Sequence, residues 1–168
     1  MIGSGVLCYA QVDATAEREG KLKAACLYYI TKFVEFPSEK INEGKINLCV
    51  LGDDAANAYL LNTFKDKEIK GNKINLIFSE RSIMVNLKSC NLVYMGTLTD
   101  EQEEEVLNGT KEKPILTISS VEDITSRNGI VHIYKENNKL RIKINAKKAD
   151  SLSLKISSEL LQIAEVAE

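Results

Sequence analysis

The 168-residue sequence lacks the residue clusters on which metal, nucleic-acid and membrane sites depend. It has a single histidine, His132, and its four cysteines form no Cys-x-x-Cys pair, which argues against a zinc site. Its net charge of −2, with both signs interspersed, argues against a surface for nucleic acid or anionic lipid. No apolar run approaches the ~20 residues of a membrane span. We therefore expect no bound metal, no nucleic-acid partner and no direct insertion into a membrane.

Motifs for catalysis and cofactor binding are missing as well. The sequence contains no Gly-x-Ser-x-Gly elbow, no Walker loop and no Gly-x-Gly-x-x-Gly fingerprint. His132 lies in the middle of a predicted strand, where a partly buried structural role is favoured over a catalytic one. We expect neither an enzyme nor a cofactor.

The remaining composition is typical of one soluble globular domain. Hydrophobic residues make up 44% and charged residues 27% of the chain. We assign the domain to residues 15–168, which are enough to bury a core without a metal or a disulfide. Residues 1–14 have two interpretations. Val6-Leu7 followed by Cys8-Tyr9-Ala10 resembles the end of a secretory signal peptide, and the alternative is a short disordered N-terminus.

The most apolar stretch, residues 22–36, predicts a helix that Pro37 ends. Its apolar residues occur on most of the helix circumference, so we expect it to be covered on two sides. The predicted main face consists of Leu22, Cys26, Tyr29, Ile30, Phe33 and Phe36. Two interpretations stay open: a plain core helix, or a helix whose aromatic residues contact a partner chain.

The rest of the chain alternates between predicted strands and helices. Strands are expected at 46–51, 74–78, 90–96 and 114–118, with a hairpin of 130–134 and 140–144. Helices are expected at 55–64, from a capping box at Thr99 to a stop at Gly109, from Ser120, at 146–150 and from Ser157. This order predicts an α/β three-layer sandwich. Its mixed, mostly parallel sheet has about six strands and a C-terminal antiparallel hairpin, with helices on both faces.

Two features of this predicted sheet bear on function. Gly52, Gly96 and Ser119-Ser120 follow strands at one edge, where open α/β sheets bind small ligands. Cys49 and Cys90 lie in two predicted strands. If those strands are neighbours, the cysteines are close enough for a disulfide, and two buried thiols are the alternative.

Several segments, in order along the chain, resemble motifs of the YfiR-like family. The first is Lys23-Ala24-Ala25 with Lys32-Phe33-Val34-Glu35-Phe36-Pro37. Later ones are Leu48-Cys49-Val50-Leu51-Gly52, Ile69-Lys70-Gly71-Asn72-Lys73-Ile74, Cys90 before Leu92-Val93-Tyr94-Met95, Pro114-Ile115-Leu116-Thr117-Ile118-Ser119, Leu140-Arg141-Ile142-Lys143-Ile144-Asn145 and Leu154-Lys155-Ile156-Ser157-Ser158-Glu159-Leu160-Leu161. The chain departs from the family pattern in having Phe36 for tryptophan, Asn91 for histidine and Asn128-Gly129 for Gly-Gly.

The resemblance implies a non-catalytic periplasmic protein that acts through protein–protein contact and whose redox state matters. It also implies a disulfide between Cys49 and Cys90, and it favours the signal-peptide interpretation of the N-terminus. The best-known member of the family represses a membrane diguanylate cyclase.

Our first hypothesis is therefore a homodimeric periplasmic regulator that restrains a membrane signalling protein of the diguanylate cyclase type. We expect the contact at Phe33 and Phe36, or at Arg141, Lys143 and Asn145 of a predicted edge strand. The alternative is a periplasmic sensor module that binds a small ligand in the crevice at the strand ends.

Overall fold

The computed structural model describes residues 3–79 and 86–168, with side chains described from Thr15 onward. The helices in this part of the chain are α1 (Gly3–Lys32), α2 (Asn57–Phe64), α3 (Asp100–Thr110), α4 (Ala146–Ser151) and α5 (Ser158–Ile163). The strands are β1 (Val34–Glu35), β2 (Lys45–Leu51), β3 (Glu68–Ile69), β4 (Asn72–Ser79), β5 (Leu92–Met95), β6 (Leu116–Ser119), β7 (Val131–Glu136), β8 (Lys139–Ile144), β9 (Lys155–Ile156) and β10 (Glu165–Val166).

The main sheet has the strand order β10-β8-β7-β6-β5-β2-β4-β3. Strands β4, β2, β5, β6 and β7 run parallel, and β8 closes the predicted antiparallel hairpin with β7. The predicted strands are all present, and a two-residue strand adds to each edge. Strands β1 and β9 form a separate antiparallel pair. The predicted α/β class and mixed, mostly parallel sheet are confirmed.

Two apolar cores lie on opposite faces of this sheet. Along β2, Leu48 and Val50 belong to one core, whereas Cys49 and Leu51 belong to the other. The first core also contains buried residues of four helices, namely Leu27 of α1, Leu60 of α2, Ala149 of α4 and Leu160 of α5. The second contains Val106 of α3. Helices therefore cover both faces, as a three-layer sandwich requires.

Helix α1 ends at Lys32, four residues before the predicted last helical residue, Phe36. Val34 is paired with Ile156 of β9, and the Phe33 carbonyl accepts a hydrogen bond from the Ser157 N–H at 2.9 Å. This pairing extends the chain ahead of Pro37, so Phe36 is not on the helix. The predicted main face was wrong in part: Ile30 is fully buried as expected, whereas Leu22 is 46% exposed. The buried side of the helix also includes Ala24, Leu27 and Thr31, which are all fully buried.

Other local predictions met mixed outcomes. The capping box at Thr99 is present, with the Gln102 N–H donating to Thr99 Oγ1 at 3.2 Å. Gly109 is inside α3 rather than at its end, and a Cβ there would lie 2.9 Å from Leu87 Cδ1. The helix predicted from Ser120 is a run of bends and turns, in which Ser119 Oγ accepts hydrogen bonds from the N–H groups of Val121 and Glu122.

The hairpin turn adopts the geometry that its asparagines predict. Asn137 and Asn138 both have positive φ, at 49° and 60°. The prediction that β8 is the sheet edge was wrong in part, because β10 pairs with it at Lys143 and Ile144. The other end of β8 has no partner on that side among the described residues.

A disulfide joins Cys49 of β2 to Cys90, which precedes β5. The two Cα atoms are 5.9 Å apart, because β2 and β5 are hydrogen-bonded neighbours. Both cysteines are buried in the α3-side core, at 0% and 1% exposure. The bond closes a loop with a sequence separation of 41 residues and is shielded from solvent by the folded chain.

Replacing both Cys49 and Cys90 by alanine should destabilise the protein strongly. The chain-entropy model gives about 4 kcal/mol for a loop of this length. We expect the free energy of unfolding, measured by urea titration, to fall by about 2–4 kcal/mol. Cys26→Ala, which removes a half-buried free thiol, is the matched control and should cost about 1 kcal/mol. Equal losses in the two variants would contradict a stabilising role for the bond.

Candidate functional site

An apolar groove, here called the α1 groove, runs between α1, β8 and α5. Leu22, Cys26 and Tyr29 line its α1 side, and Leu140 and Ile163 line the opposite side. Its cavity measures about 480 Å³. Leu22 and Ile163 are 46% and 59% exposed, which is high for large apolar side chains. The groove is therefore an open apolar surface between ordered elements.

The groove continues toward the N-terminal part of α1 as a second, more polar cavity of about 560 Å³. This cavity shares Arg18, Leu22 and Leu140 with the first one. Arg18, Lys135 and Lys139 are exposed at the rim. Among the described residues lining either cavity, the acidic one is Glu19, which is paired with Lys135 at 3.2 Å. The rim thus has an excess of positive charge around an apolar floor.

The aromatic contact residues predicted from the sequence are separated by the structure. Phe33 is half-buried one turn beyond the groove, and its ring lies 4.5 Å from that of Tyr29. Phe36 is 6% exposed and belongs to the core on the α1 side of the sheet. Only Phe33 of this pair is placed where a partner that occupies the groove could extend to it.

Of the contact residues predicted on and next to β8, one is exposed and two are bonded to other parts of the fold. Arg141 is exposed, close to the groove-lining Leu140. The Lys143 ammonium is paired with Asp123 at 2.9 Å and with Glu165 at 3.8 Å. Asn145 caps α4 and is held by hydrogen bonds within the fold. Ile163 was not predicted as a contact residue. The signal that could have identified it is an apolar side chain on the exposed face of α5.

A buried polar cluster lies where α1 crosses the carboxyl ends of β2 and β6. Asp54 Oδ2 accepts hydrogen bonds from Lys23 Nζ at 3.1 Å and from Ser120 Oγ at 2.7 Å. Its other oxygen accepts the Ala56 N–H at 2.8 Å. Lys23 is also paired with Glu19 at 3.2 Å, which connects the cluster to the groove rim. These bonds fix α1 to the loop that follows β2.

The ionisation of this cluster follows from its burial and its partners. Burial raises the pKa of the Asp54 carboxyl, but its hydrogen bonds and the charge of Lys23 outweigh this and leave the pKa below the ordinary value. Within the described part of the chain, the fully buried Tyr94 hydroxyl has no hydrogen-bond partner. Burial and the Asp54 charge raise the pKa of Tyr94, so the phenol stays protonated.

Among the described residues, the free thiol of Cys26 and the imidazole of His132 belong to the side-chain types that most often act as nucleophile or base. Burial raises the pKa of Cys26 to about 12, so its thiol is protonated at neutral pH. Burial lowers the pKa of His132, whose ring is stacked 5.4 Å from that of Tyr134. Within the described chain, no group of three His, Cys, Asp or Glu side chains is arranged to hold a metal ion.

At the crevice expected at the strand ends, the loops after β2 and β5 pack against each other, and a cavity of about 340 Å³ remains beside Gly52 and Asp53. Thr97 N–H donates to the Asp53 carbonyl at 2.7 Å, and the Gly96 N–H donates to the Leu51 carbonyl at 2.9 Å. Gly52 has φ of +71°, and a Cβ there would lie 2.3 Å from the Thr97 oxygen. The loops after β2 and β5 are therefore in close contact at Gly52 and Thr97, on the β5 side of that cavity.

Comparison with known proteins decides the family. A family model described as YfiR/HmsC-like matches residues 20–165. The chain belongs to the YfiR/HmsC-like family. Membership supports, at the level of the family, a periplasmic regulator of cyclic di-GMP signalling. The family is regulatory rather than catalytic. Among functionally curated proteins, none matches the chain. No helix in the described residues combines the length and the hydropathy needed to cross a bilayer.

The motifs that resemble the YfiR-like family prove to be mainly structural. Lys23 carries the ion pair to Asp54, and Ala24 is fully buried where α1 meets the sheet. Val34 pairs with β9. Asn91, which replaces the usual histidine, is 2% exposed; its Oδ1 accepts the Asn47 N–H and its Nδ2 donates to the Lys40 carbonyl.

The interpretation of residues 1–14 stays a prediction. The backbone of α1 extends back to Gly3, and the side chains of this segment lie outside the described ones.

Replacing Asp54 by asparagine should remove a pH-dependent stabilisation. Because the folded-state pKa of Asp54 is lowered, its stabilisation is complete above the unfolded-state pKa of about 4 and is lost as pH falls through the folded-state pKa. We expect Asp54→Asn to reduce the free energy of unfolding at pH 7 by about 2 kcal/mol. The difference from wild type should shrink at pH 3, measured by urea unfolding. The control is Glu43→Gln, which removes an exposed ion pair with Lys45 and should have almost no effect at either pH. If Asp54→Asn destabilised the protein equally at both pH values, the Asp54 carboxylate would not be the source of the stabilisation.

Two glycine substitutions test the packing of the crevice loops. Gly71 has φ of +79° with nothing within 4 Å of its added Cβ, so Gly71→Ala should cost only the strain of positive φ, about 1 kcal/mol. Gly52→Ala adds a clash with the Thr97 carbonyl and should cost about 3 kcal/mol or more. Thermal unfolding of both variants measures the difference. Similar melting temperatures would mean that the two loops are not in contact.

Proposed function

We propose that the chain is a non-enzymatic periplasmic regulator that binds and restrains a membrane signalling protein of the diguanylate cyclase type. The periplasmic segment of that protein is the proposed partner, and the α1 groove is the proposed binding surface. The observation that carries this proposal is the open apolar groove beside Leu22 and Ile163. Family membership supports the class of partner.

The lining of the groove indicates the chemistry of the bound segment. The apolar floor favours a segment with apolar anchors that fill the space between α1 and α5. The positive rim at Arg18, Lys135 and Lys139 favours acidic residues flanking those anchors. Phe33 and Arg141 flank the groove and complete the proposed contact, whereas Phe36 supports it from the core. Lys143 and Asn145 contribute indirectly, because their bonds within the fold hold the β8 end of this surface in place.

We further propose that the protein is sensitive to redox conditions through the Cys49–Cys90 bond. Both sulfur atoms are enclosed by the α3-side core, so a thiol reagent gains access only when the chain opens. Reduction then acts by lowering the stability of the fold. The protein is proposed to act as a homodimer, so that one dimer presents two α1 grooves.

Charge substitution in the groove tests the binding surface. The tagged full-length chain is purified from its native cell envelope, and the co-purifying membrane proteins are identified by mass spectrometry. We expect wild type to recover a protein with a cytoplasmic cyclase domain. Leu22→Glu combined with Ile163→Glu should reduce that recovery roughly tenfold or more, because each carboxylate places a charge in an apolar contact. Cells that carry this variant should show raised cyclic di-GMP.

Val121→Glu is the control, since Val121 is similarly exposed, at 47%, and lies outside the groove. It should leave both recovery and cyclic di-GMP unchanged. Full recovery with the groove variant would overturn the assigned surface. Recovery of no membrane protein by a folded, exported wild-type chain would overturn the regulator proposal itself.

A further inference from the structure

The α1 groove is charged at one end and apolar at the other. Arg18 and Asn138 line both of its cavities and so mark the polar end, where Lys139 is the next residue of the chain. Tyr29 and Ile163 line the apolar cavity alone and mark the other end. The groove therefore has the two-part character of a site for an amphipathic molecule, with room for a head group and for a tail.

The two cations at the polar end have no acidic partner. Arg18 and Lys139 are exposed, and neither side chain makes an ion pair or a hydrogen bond to another described residue. One and two turns earlier in α1, the sequence has Ala14 and Gln11, which carry no charge. The positive charge at this end is thus uncompensated, and it favours an anionic group.

The apolar part of the groove matches one hydrocarbon chain in chemistry and in length. Its walls are apolar side chains of three elements, Leu22 of α1, Leu140 of β8 and Ile163 of α5. The α1 backbone from Arg18 to Tyr29 rises about 16 Å. One acyl chain reaches about 15 Å, half the hydrocarbon thickness of a bilayer. The cavity of about 480 Å³ also has the size of an ordinary small-ligand site.

We propose that the α1 groove binds a single-chain amphipathic carboxylate of the fatty-acid class, as a monomer. The carboxylate lies between Arg18 and Lys139, where two charge-assisted contacts neutralise it. The hydrocarbon chain lies along Leu22 and Leu140 toward Ile163. It covers apolar surface that is otherwise open to solvent, since Leu22 and Ile163 are 46% and 59% exposed.

Occupation of the groove by this ligand would close it to a protein partner. The ligand has the chemistry inferred above for the partner segment, namely an apolar anchor with a negative charge beside it, so the two compete. A bound fatty acid would therefore release the restrained signalling protein. This consequence rests on the proposed function, whereas binding of the carboxylate to the purified chain does not.

Fatty acids of increasing length test the tail site. The probes are octanoate, decanoate and dodecanoate, each kept below the concentration at which it forms micelles. Their binding to the purified full-length chain is measured by isothermal titration calorimetry. Complete burial would lower Kd about fourfold for each added CH2, and we expect about two- to threefold because the groove is open to solvent on one side. A Kd that does not depend on chain length would overturn the tail site.

Charge variants test the head site. Arg18→Gln combined with Lys139→Gln should weaken decanoate binding about tenfold, because both contacts to the carboxylate are lost. The same variant should bind 1-decanol, which has an equal chain and no charge, as wild type does. Lys147→Gln combined with Lys155→Gln is the matched control, since it removes the same net charge from exposed side chains outside the groove. Equal weakening of decanoate binding in the two double variants would overturn the head site.

Protection of Cys26 tests where the chain is bound. Cys26 lines the apolar cavity and is a free thiol, and a Cys8→Ser background removes the other cysteine outside the disulfide. Saturating decanoate should slow alkylation of Cys26 by N-ethylmaleimide about fivefold or more, because the bound chain covers the thiol. Unchanged alkylation at saturation would overturn the assignment to the groove.

Two further comparisons separate this proposal from its neighbours. Vesicles that contain phosphatidylglycerol should not retain the chain, and co-sedimentation with them without decanoate binding would overturn the proposal in favour of a bilayer surface. Decanoate binding by a chain that captures no membrane protein would support the site and overturn the regulator. Capture of a cyclase by a chain that does not bind decanoate would overturn the site alone.

Discussion

Burial of β2 on both faces is the constraint on which the rest of the fold depends. The strand must supply apolar side chains to two cores at once, which it does with Leu48 and Val50 on one side and Cys49 and Leu51 on the other. Parallel neighbours on both edges saturate its backbone. The loop that leaves β2 then carries Asp54 to Lys23 of α1. The position of α1, and with it the α1 groove, is thus set from the centre of the sheet.

The sheet was predictable because its signals are local. Continuous apolar runs marked the parallel strands, and Asn137-Asn138 marked the hairpin turn, whose positive φ only a few residues accept. The capping box at Thr99 was equally clear. Such features depend on residues close together in the sequence, and distant parts of the chain do not alter them.

The faces of the helices were harder to predict, since they depend on what each helix packs against. Leu61 of α2 has an apolar side chain at helical spacing and yet is 66% exposed, whereas Leu60 is buried. On α1 the polar Thr31 is buried by donating to the Leu27 carbonyl at 2.7 Å, and Leu22 is left in the groove. A count of apolar residues therefore found the helices and missed which side chains remain available for binding. The α1 groove, formed by three elements distant in sequence, has no signature in any one of them.

The disulfide and the α1 groove lie on opposite sides of the sheet. The thickness of one strand layer separates the Cys49–Cys90 bond, in the α3-side core, from every residue that lines the groove. Oxidation can therefore leave the shape of the groove unchanged and still govern how long each molecule survives proteases that attack opened chains. Under the proposed function, the redox state of the compartment would change the number of intact molecules, and the groove would determine what each of them binds.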